Sequence, residues 1–228
     1  MTCVEKLAAF VSRASFDQLS PKARDQLKIC VLDALACGLG ALEAEPIRLI
    51  REQVDEFGGA SLCTLIGGGR TAPDRAAFYN GALVRYLDFN DSFLAPGESC
   101  HPSDNLSPLL AAAEYAQSTG RDLLTALAVA YQIQCRLSEA APVRDKGFDH
   151  TTQGAYAVAG GVGDGAVEDF SADLRDGLTA ARPNEVRGSG LLGDPAEGLV
   201  FRVEVDWGSA GTMAQKIIAC QSVSCEGT

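Results

Sequence analysis

Apolar residues recur every three to four positions through most of residues 1–162, which is the spacing of one face of an α-helix. The clearest case follows Ser20-Pro21, a helix cap with a first-turn proline, and we expect this helix to end near Gly38 or Gly40. Its apolar stripe consists of Ala23, Leu27, Cys30, Val31, Ala34, Leu35 and Cys37. A stripe this broad predicts a helix in the core.

Comparable patterns predict further helices before and after this one. Thr2 followed by Glu5 fits a capping box for the first of them. The further helices are expected from Thr2 to about Ser12, over Pro46–Phe57, from Thr71 to about Leu87, over Leu106–Ser118 and Asp122–Leu137, and from near Thr151 through Gly161. Residues 60–66 alone have the length and β-branched character of a strand, with no evident partner nearby. The predicted fold is mainly α, a helical bundle-like domain whose Ala and Gly residues permit close packing.

Residues 163–228 depart from this pattern. They are rich in Gly and Asp, and they carry more of the net charge of −11 than the longer first part does. The segment LVFRVEVDW predicts a strand, and TMAQKIIAC a short helix. We therefore divide the chain into a helical domain, residues 1–162, and an irregular α+β tail, residues 163–228, which we expect to be poorly ordered.

Composition narrows the class of protein. With 46% apolar and 21% charged residues the chain is globular, and its net charge of −11 without a basic run excludes a nucleic-acid binder. No apolar run is long enough for a membrane span, and the N-terminus resembles neither a secretory signal nor a transit peptide, so we expect a cytoplasmic protein. The eight cysteines stand mostly singly in apolar stretches and are expected to be reduced core residues.

Several familiar site motifs are missing. The glycines of GGGRTAPD lack both the Lys-Ser/Thr of a phosphate loop and the spacing of a dinucleotide loop, so a turn is the better interpretation. Asp and His side chains are numerous enough for a divalent-metal hydrolase, but none of the tight ligand motifs is present. A serine hydrolase would need a G-x-S-x-G elbow, which does not occur.

The two histidines are the best candidates for chemistry. His101, in ESCHPSDN, and His150, in DKGFDHTTQG, both lie at polar junctions between a loop and a helix, where a side chain faces a cleft more readily than a core. Upstream, YLDFNDSF places Asp88 and Ser92 at the end of an apolar helix. Taken alone, that segment is more typical of a helix terminated by solvated polar residues.

Four segments in order, VLDALACGLGAL, NGALVRYLDFNDSF, HPSDNLSPLLAAAE and KGFDHTTQGAYAVAGG, resemble the N-terminal helical domain of the MmgE/PrpD family over about residues 4–162. That family includes 2-methylcitrate dehydratase and cis-aconitate decarboxylase. The resemblance implies catalytic roles for Asp88, His101 and His150, and substrate-binding roles for Ser92 and Ser103. The segment FLAPGESC, between Ser92 and His101, is longer than in several members and implies a different pocket rim.

The resemblance also implies the reaction and its participants. The expected activity is acid-base elimination of water or CO₂ from a small di- or tricarboxylate, with no cofactor, no metal, and a homodimer as the assembly. Arg144 and Lys146 could add positive charge for the anionic substrate, although a solvated surface role is equally compatible with their positions.

After Gly161 the family pattern stops. Family members are about twice as long and carry an active-site lysine and a second domain, so we expect a truncated domain with half of its site missing. The tail then reflects a shifted gene model, a shortened paralogue or an appended module. The alternative function is a noncatalytic helical remnant that associates with itself or binds a full-length homologue through exposed apolar helix faces.

Overall fold

A computed structural model of the chain describes residues 3–165 with the backbone of residues 201–205 and 218–223, and it describes side chains for residues 3–163. Seven α-helices dominate the described part of the chain. They are α1 (Cys3–Val11), α2 (Pro21–Gly40), α3 (Glu45–Phe57), α4 (Pro73–Tyr86), α5 (Leu106–Tyr115), α6 (Gly120–Ala140) and α7 (Thr151–Gly165). The predicted mainly helical fold is confirmed.

Within the described residues, three antiparallel pairs of strands accompany the helices. Their strands are β1 (Cys63–Thr64) with β2 (Arg70–Thr71), β3 (Phe93–Ala95) with β4 (Glu98–Cys100), and β5 (Phe201–Val205) with β6 (Ile218–Val223). The predicted strand over residues 60–66 is only two residues long, and it has the partner that the sequence did not reveal, immediately after the glycine turn. The hairpin of β3 and β4 was not predicted. The predicted helix in TMAQKIIAC is wrong for residues 218–220, which belong to β6, while residues 212–217 lie outside the described residues.

Local capping explains where several helices begin. The Ser20 side chain accepts a hydrogen bond from the amide of Ala23 at 3.2 Å, as the Ser-Pro signal predicts. At α6, Thr119 and Asp122 form a reciprocal capping box. The Thr2 cap predicted for α1 lies outside the described residues. At the end of α3, Phe57 is exposed, since the helix stops there and the chain turns at Gly58.

The middle of α6 is the centre of the bundle. Every residue from Thr125 to Cys135 is buried, so this helix is covered on all sides. The larger core cluster joins α6 to α1, α2, α5 and α7, while a smaller one joins α3 and α4 to the first hairpin. Polar groups on α6 therefore need partners inside the protein.

Helix α7 approaches α6 closely because it presents glycine where they meet. A Cβ at Gly161 would lie 2.7 Å from Leu109 Cδ2 and 2.8 Å from the carbonyl oxygen of Ala126. The second of these neighbours is backbone and cannot move aside. The glycines of AVAGG thus set the spacing between α7 and the central helix.

The Gly67-Gly68-Gly69 run is a hairpin turn, as predicted. All three residues have positive φ angles, of 90°, 117° and 91°, which glycine adopts at little cost. The amide of Leu65 donates to the carbonyl of Gly69 at 3.0 Å, closing the turn between β1 and β2. Nearby, the Asn80 amide donates to Thr64 and accepts from Ile66, fastening the hairpin to α4.

Of the cysteines whose side chains are described, none forms a disulfide. Cys30, Cys37, Cys63, Cys100 and Cys135 are buried, and Cys3 is exposed. The prediction of reduced core cysteines is confirmed for these five. In the same part of the chain, no helix combines the length and apolar composition that crossing a bilayer requires.

Replacing Gly161 by Ala should lower the free energy of unfolding by about 1–3 kcal/mol, because the new methyl group is forced against the backbone of α6. The matched control is Gly154→Ala on the same helix, where the added Cβ meets Gln134 at an ordinary 3.5 Å. That control should be neutral or stabilising, since Ala favours helix by about 1 kcal/mol over Gly. Urea unfolding of both variants tests whether Gly161 permits the close approach of α7 to α6. Equal losses of stability in the two variants would contradict that role.

Candidate functional site

Three chain segments converge at the predicted site. They are residues 88–92 after α4, His101 directly after β4 with the 3₁₀ turn Pro102–Asn105, and the loop that ends at His150 before α7. The rings of His101 and His150 meet edge to face, with centroids 5.3 Å apart and an interplanar angle of 68°. Two histidines 49 positions apart in the sequence (150 − 101) thus form one pair.

His101 is oriented by its Nδ1 atom. This nitrogen lies 2.8 Å from the backbone carbonyl oxygen of Asp91 and 3.1 Å from Ser92 Oγ. A carbonyl oxygen only accepts hydrogen bonds, so Nδ1 carries a proton and donates it. In the neutral ring this leaves the lone pair on Nε2, where it can accept a proton from another molecule.

His150 lies between two carboxylates. Its Nε2 is 3.7 Å from Asp104 Oδ2 and its Nδ1 is 3.2 Å from Asp149 Oδ1, but neither nitrogen makes a hydrogen bond although both are buried. The pKa of His150 is raised, chiefly by Asp104, with a further contribution from Asp149, while burial and Arg85 oppose the rise. The pair of acids therefore favours an imidazolium here.

Asp88 lies at the exposed edge of the site. Its backbone adopts a positive φ of 56°, which Asp tolerates better than most residues, and its carboxylate accepts a hydrogen bond from Arg85. That hydrogen bond is the main reason why the pKa of Asp88 is lowered, and the charge of His101 lowers it slightly further. Within the described residues, no hydrogen bond joins Asp88 to either histidine. Its predicted role of holding an imidazole would have to act through charge.

Asp91 is buried behind the histidines and is only 3% exposed. Its carboxylate accepts hydrogen bonds from the Ser103 amide at 2.9 Å and from the Tyr131 hydroxyl at 2.8 Å. Burial raises the pKa of Asp91, while Ser103 and Tyr131 oppose the rise. This carboxylate fastens the segment after α4 to the turn after His101 and to the central helix.

The two predicted substrate-binding serines occupy different environments. Ser92 is half-buried beside His101. Ser103 is 2% exposed. Its hydroxyl oxygen accepts a hydrogen bond from Asn90 at 2.7 Å, and its backbone amide donates one to the Asp91 carboxylate. Ser92 is the better placed of the two to meet another molecule.

Sequence reasoning did not single out Arg85 or Tyr131, and it considered Asp104 only among the acids of a metal site. Arg85 contacts Asp88 and lies 3.9 Å from Asp104, so one guanidinium faces two carboxylates. The spacing of three between Arg85 and Asp88 was a usable local signal. No comparable signal exists for Tyr131, which lies 40 positions from its partner Asp91.

The two basic residues before His150 are exposed to solvent. They are Arg144 and Lys146, and they lie on a 3₁₀ turn. The pKa of Asp149 is lowered chiefly by a hydrogen bond from the Thr151 amide, and Arg144 adds only a minor contribution. Among the residues that the structure describes, no three His, Cys, Asp or Glu side chains are grouped as a metal site requires.

The raised pKa of Asp91 has a predictable effect on stability. The folded protein holds the proton of the Asp91 carboxyl more tightly than the unfolded chain does. The stabilisation from this proton is therefore fully present below the pKa of the unfolded chain, about 3.9, and is lost as pH rises through the pKa of the folded protein. Wild type should therefore lose stability relative to Asp91→Asn as pH rises above about 3.9. Urea unfolding of both proteins at a series of pH values measures the difference.

Asp122 supplies a control of opposite sign. Its capping hydrogen bonds with Thr119 lower its pKa, so its contribution is present above the unfolded value and is lost as pH falls through the folded one. Wild type should gain stability relative to Asp122→Asn as pH rises toward about 3.9, and the difference should then stay constant at higher pH. Parallel slopes for the two variants would contradict the assignment for Asp91.

Comparison with known proteins identifies the helical domain. Residues 5–166 match the family described as the MmgE/PrpD N-terminal domain. The chain is 33% identical over 154 residues to the 2-methylcitrate dehydratase of Escherichia coli (strain K12), covering 60% of this chain and 30% of that protein. It is 33% identical over 156 residues to a probable 2-methylcitrate dehydratase of Saccharomyces cerevisiae, covering 62% of this chain and 30% of that protein.

A third relative gives the same picture. The chain is 30% identical over 166 residues to a protein of Yarrowia lipolytica named 2-methylcitrate dehydratase, mitochondrial, covering 64% of this chain and 30% of that protein. The match thus spans about 30% of the length of these curated relatives. The family match extends over most of the chain and ends where α7 does. The chain therefore belongs to the MmgE/PrpD family.

Proposed function

We propose that the helical domain carries the acid-base half of a lyase site that removes water from a small di- or tricarboxylate. The observation that carries this proposal is the histidine pair, in which one ring is held with a free acceptor nitrogen and the other is held between two carboxylates. The relatives described above are named as 2-methylcitrate dehydratases, which favours loss of water over loss of CO₂.

The environments of the two rings suggest a division of labour. His101 Nε2 takes a proton from the carbon next to a substrate carboxylate, and the electron pair of that C–H bond forms the new double bond. His150, whose raised pKa favours the imidazolium form, donates its proton to the leaving hydroxyl. The C–O bond then breaks and water departs. Two titratable groups whose surroundings differ in this way are typical of an acid and a base.

The surrounding groups support an anionic substrate. The imidazolium of His150 and the guanidinium of Arg85 supply positive charge, and the hydroxyl of Ser92 can donate to a substrate oxygen. Asp88 acts in this scheme by holding Arg85 at the edge of the site. Ser103 does not contact the substrate in this scheme; it holds Asp91 and Asn90 in place through hydrogen bonds.

The test is an assay of the purified chain with 2-methylcitrate and with cis-aconitate, following the unsaturated product by ultraviolet absorbance and NMR. His101→Gln and His150→Gln should each lower kcat/KM by about 10²–10⁴, the usual contribution of general acid-base catalysis. If CO₂ is released from cis-aconitate while 2-methylcitrate stays unchanged, the reaction is decarboxylation and the proposed dehydration is wrong.

Arg121→Gln is the control for these variants, because Arg121 is exposed and pairs with Asp17 rather than with the site. It should retain wild-type activity. Folded wild-type protein that leaves both substrates unchanged would remove the proposal of catalysis by this chain alone.

A second candidate function is self-association through α2. Ile29, Leu32 and Leu39 on this helix are 53%, 69% and 57% exposed, and Ala36 is exposed between them. Positions 29, 32, 36 and 39 are separated by three, four and three residues, which is the seam spacing of paired helices. We propose that a second copy of the chain covers this seam, in a homodimer or in a noncatalytic assembly.

Leu32→Lys should weaken this association by at least about tenfold in Kd, because a charge replaces an apolar side chain at the centre of the seam. Sedimentation over a range of concentrations measures it. The control is Leu49→Lys, which changes an equally exposed leucine on α3 and should leave association unaltered. A wild-type protein that stays monomeric throughout would contradict the seam.

A further inference from the structure

Glu98 is a buried acid that the proposed reaction does not use. It is the first residue of β4, is 6% exposed, and lies three positions before His101. Its Oε2 accepts a hydrogen bond from the backbone amide of Val143 at 2.9 Å and another from Gln153 Nε2 at 3.0 Å. Both donors belong to the chain that surrounds His150.

Gln153 completes the connection. Its Nε2 also donates to the carbonyl oxygen of Ala141 at 2.9 Å, and its Oε1 accepts from the buried hydroxyl of Ser138 at 2.9 Å. Ser138 and Ala141 mark the end of α6, whereas Gln153 lies in the first turn of α7, three positions after His150. The loop that carries His150 is thus held at both of its ends.

We infer that Glu98 and Gln153 are positioning residues that set the approach of His101 to His150. One lies three residues before the first histidine, the other three residues after the second, and they hydrogen-bond to each other. The inference rests on the proposed function, in that the pair of rings is taken to be the catalytic unit.

The chemistry of Glu98 argues against a role in packing alone. Its second oxygen, Oε1, is buried without a hydrogen-bond partner. Burying a carboxylate with one oxygen unsatisfied is costly, and an apolar or amide side chain would close the same space with less cost. The position of Glu98 gives instead one acceptor oxygen that binds both the loop before His150 and the helix after it, which ties the two ends of that loop to β4.

The test compares Glu98→Ala with Glu98→Gln in the full chain. The amide of the Gln variant keeps an acceptor oxygen for Val143 and Gln153, so this variant should preserve the histidine pair. In Glu98→Ala we expect kcat to fall by about 100-fold with KM changed by less than about threefold, as for a displaced catalytic group.

Imidazole ¹⁵N NMR supplies a readout that needs no turnover. In wild type His101 should show the Nδ1-protonated form, and His150 should titrate above the ordinary value of about 6.5. In Glu98→Ala the titration of His150 should move down toward that value, because the loop no longer holds the ring against Asp104 and Asp149. Ring-to-ring contacts between the two histidines should weaken at the same time.

Glu114→Ala is the matched control. Glu114 is also a carboxylate that fastens a hairpin, by accepting from the Thr64 amide at 2.6 Å and from the Thr64 hydroxyl, but that hairpin carries no histidine. It should leave the histidine spectra and kcat unchanged even if stability falls.

The outcomes separate the two proposals. Wild-type histidine spectra in folded Glu98→Ala would overturn the positioning role, whatever the activity. Altered spectra in Glu98→Ala, restored in Glu98→Gln, would support it even if wild type proves inactive, and only the lyase proposal would then fail. Should Glu98→Ala not fold, Gln153→Ala probes the same hydrogen bond from α7 with the same expected spectral change, and unaltered spectra there would overturn the role.

Discussion

The buried carboxylate of Asp91 is the constraint on which the site depends. A charged or titrating group at 3% exposure is costly unless it is hydrogen-bonded, and Asp91 meets this demand with the Ser103 amide and the Tyr131 hydroxyl. Each partner comes from a different element, so satisfying one acid fixes three pieces of chain at once. The backbone carbonyl of the same residue then orients His101. The requirement that a buried acid find donors therefore also determines which nitrogen of the histidine faces outward.

The two histidines share one location but have different environments. His101 donates through Nδ1 to a neutral carbonyl, whereas His150 lies between Asp104 and Asp149 without a hydrogen bond to either. Opposite charge nearby favours the protonated ring, and a carbonyl on one nitrogen leaves the other available as a base. Because of this asymmetry, one histidine is suited to accept a proton and the other to donate one. The difference arises from the groups that each ring contacts, and the identity of the two residues alone does not reveal it.

The parts of the fold that could be predicted are those with local causes. Helix α2 begins at Ser20-Pro21 and buries most of its predicted stripe because capping and a period near 3.6 act within a few residues. The strand at β1 was assigned without its partner, because two-residue strands carry too little alternation to recognise. The hairpin of β3 and β4 was missed because its strands are almost as short, and the first three residues of β6 were assigned to a helix because a short apolar run fits either structure. His101 and His150 were candidates from their polar surroundings at loop-to-helix junctions, whereas the roles of Asp88, Ser92 and Ser103 came from the family resemblance.

By itself the sequence determined the helical class, most helix boundaries, the burial of five of the described cysteines and the family, since each rests on residues close together or on ordered motifs. Only the tertiary structure decided that His101 meets His150, that Tyr131 reaches Asp91 across 40 positions, and that Glu98 reaches Gln153 across 55. The physical reason is that buried polar groups must find partners wherever the packing of α6 and α7 brings them. Those pairings depend on the separation of whole helices, set by glycines such as Gly161, and not on the spacing of residues along the chain.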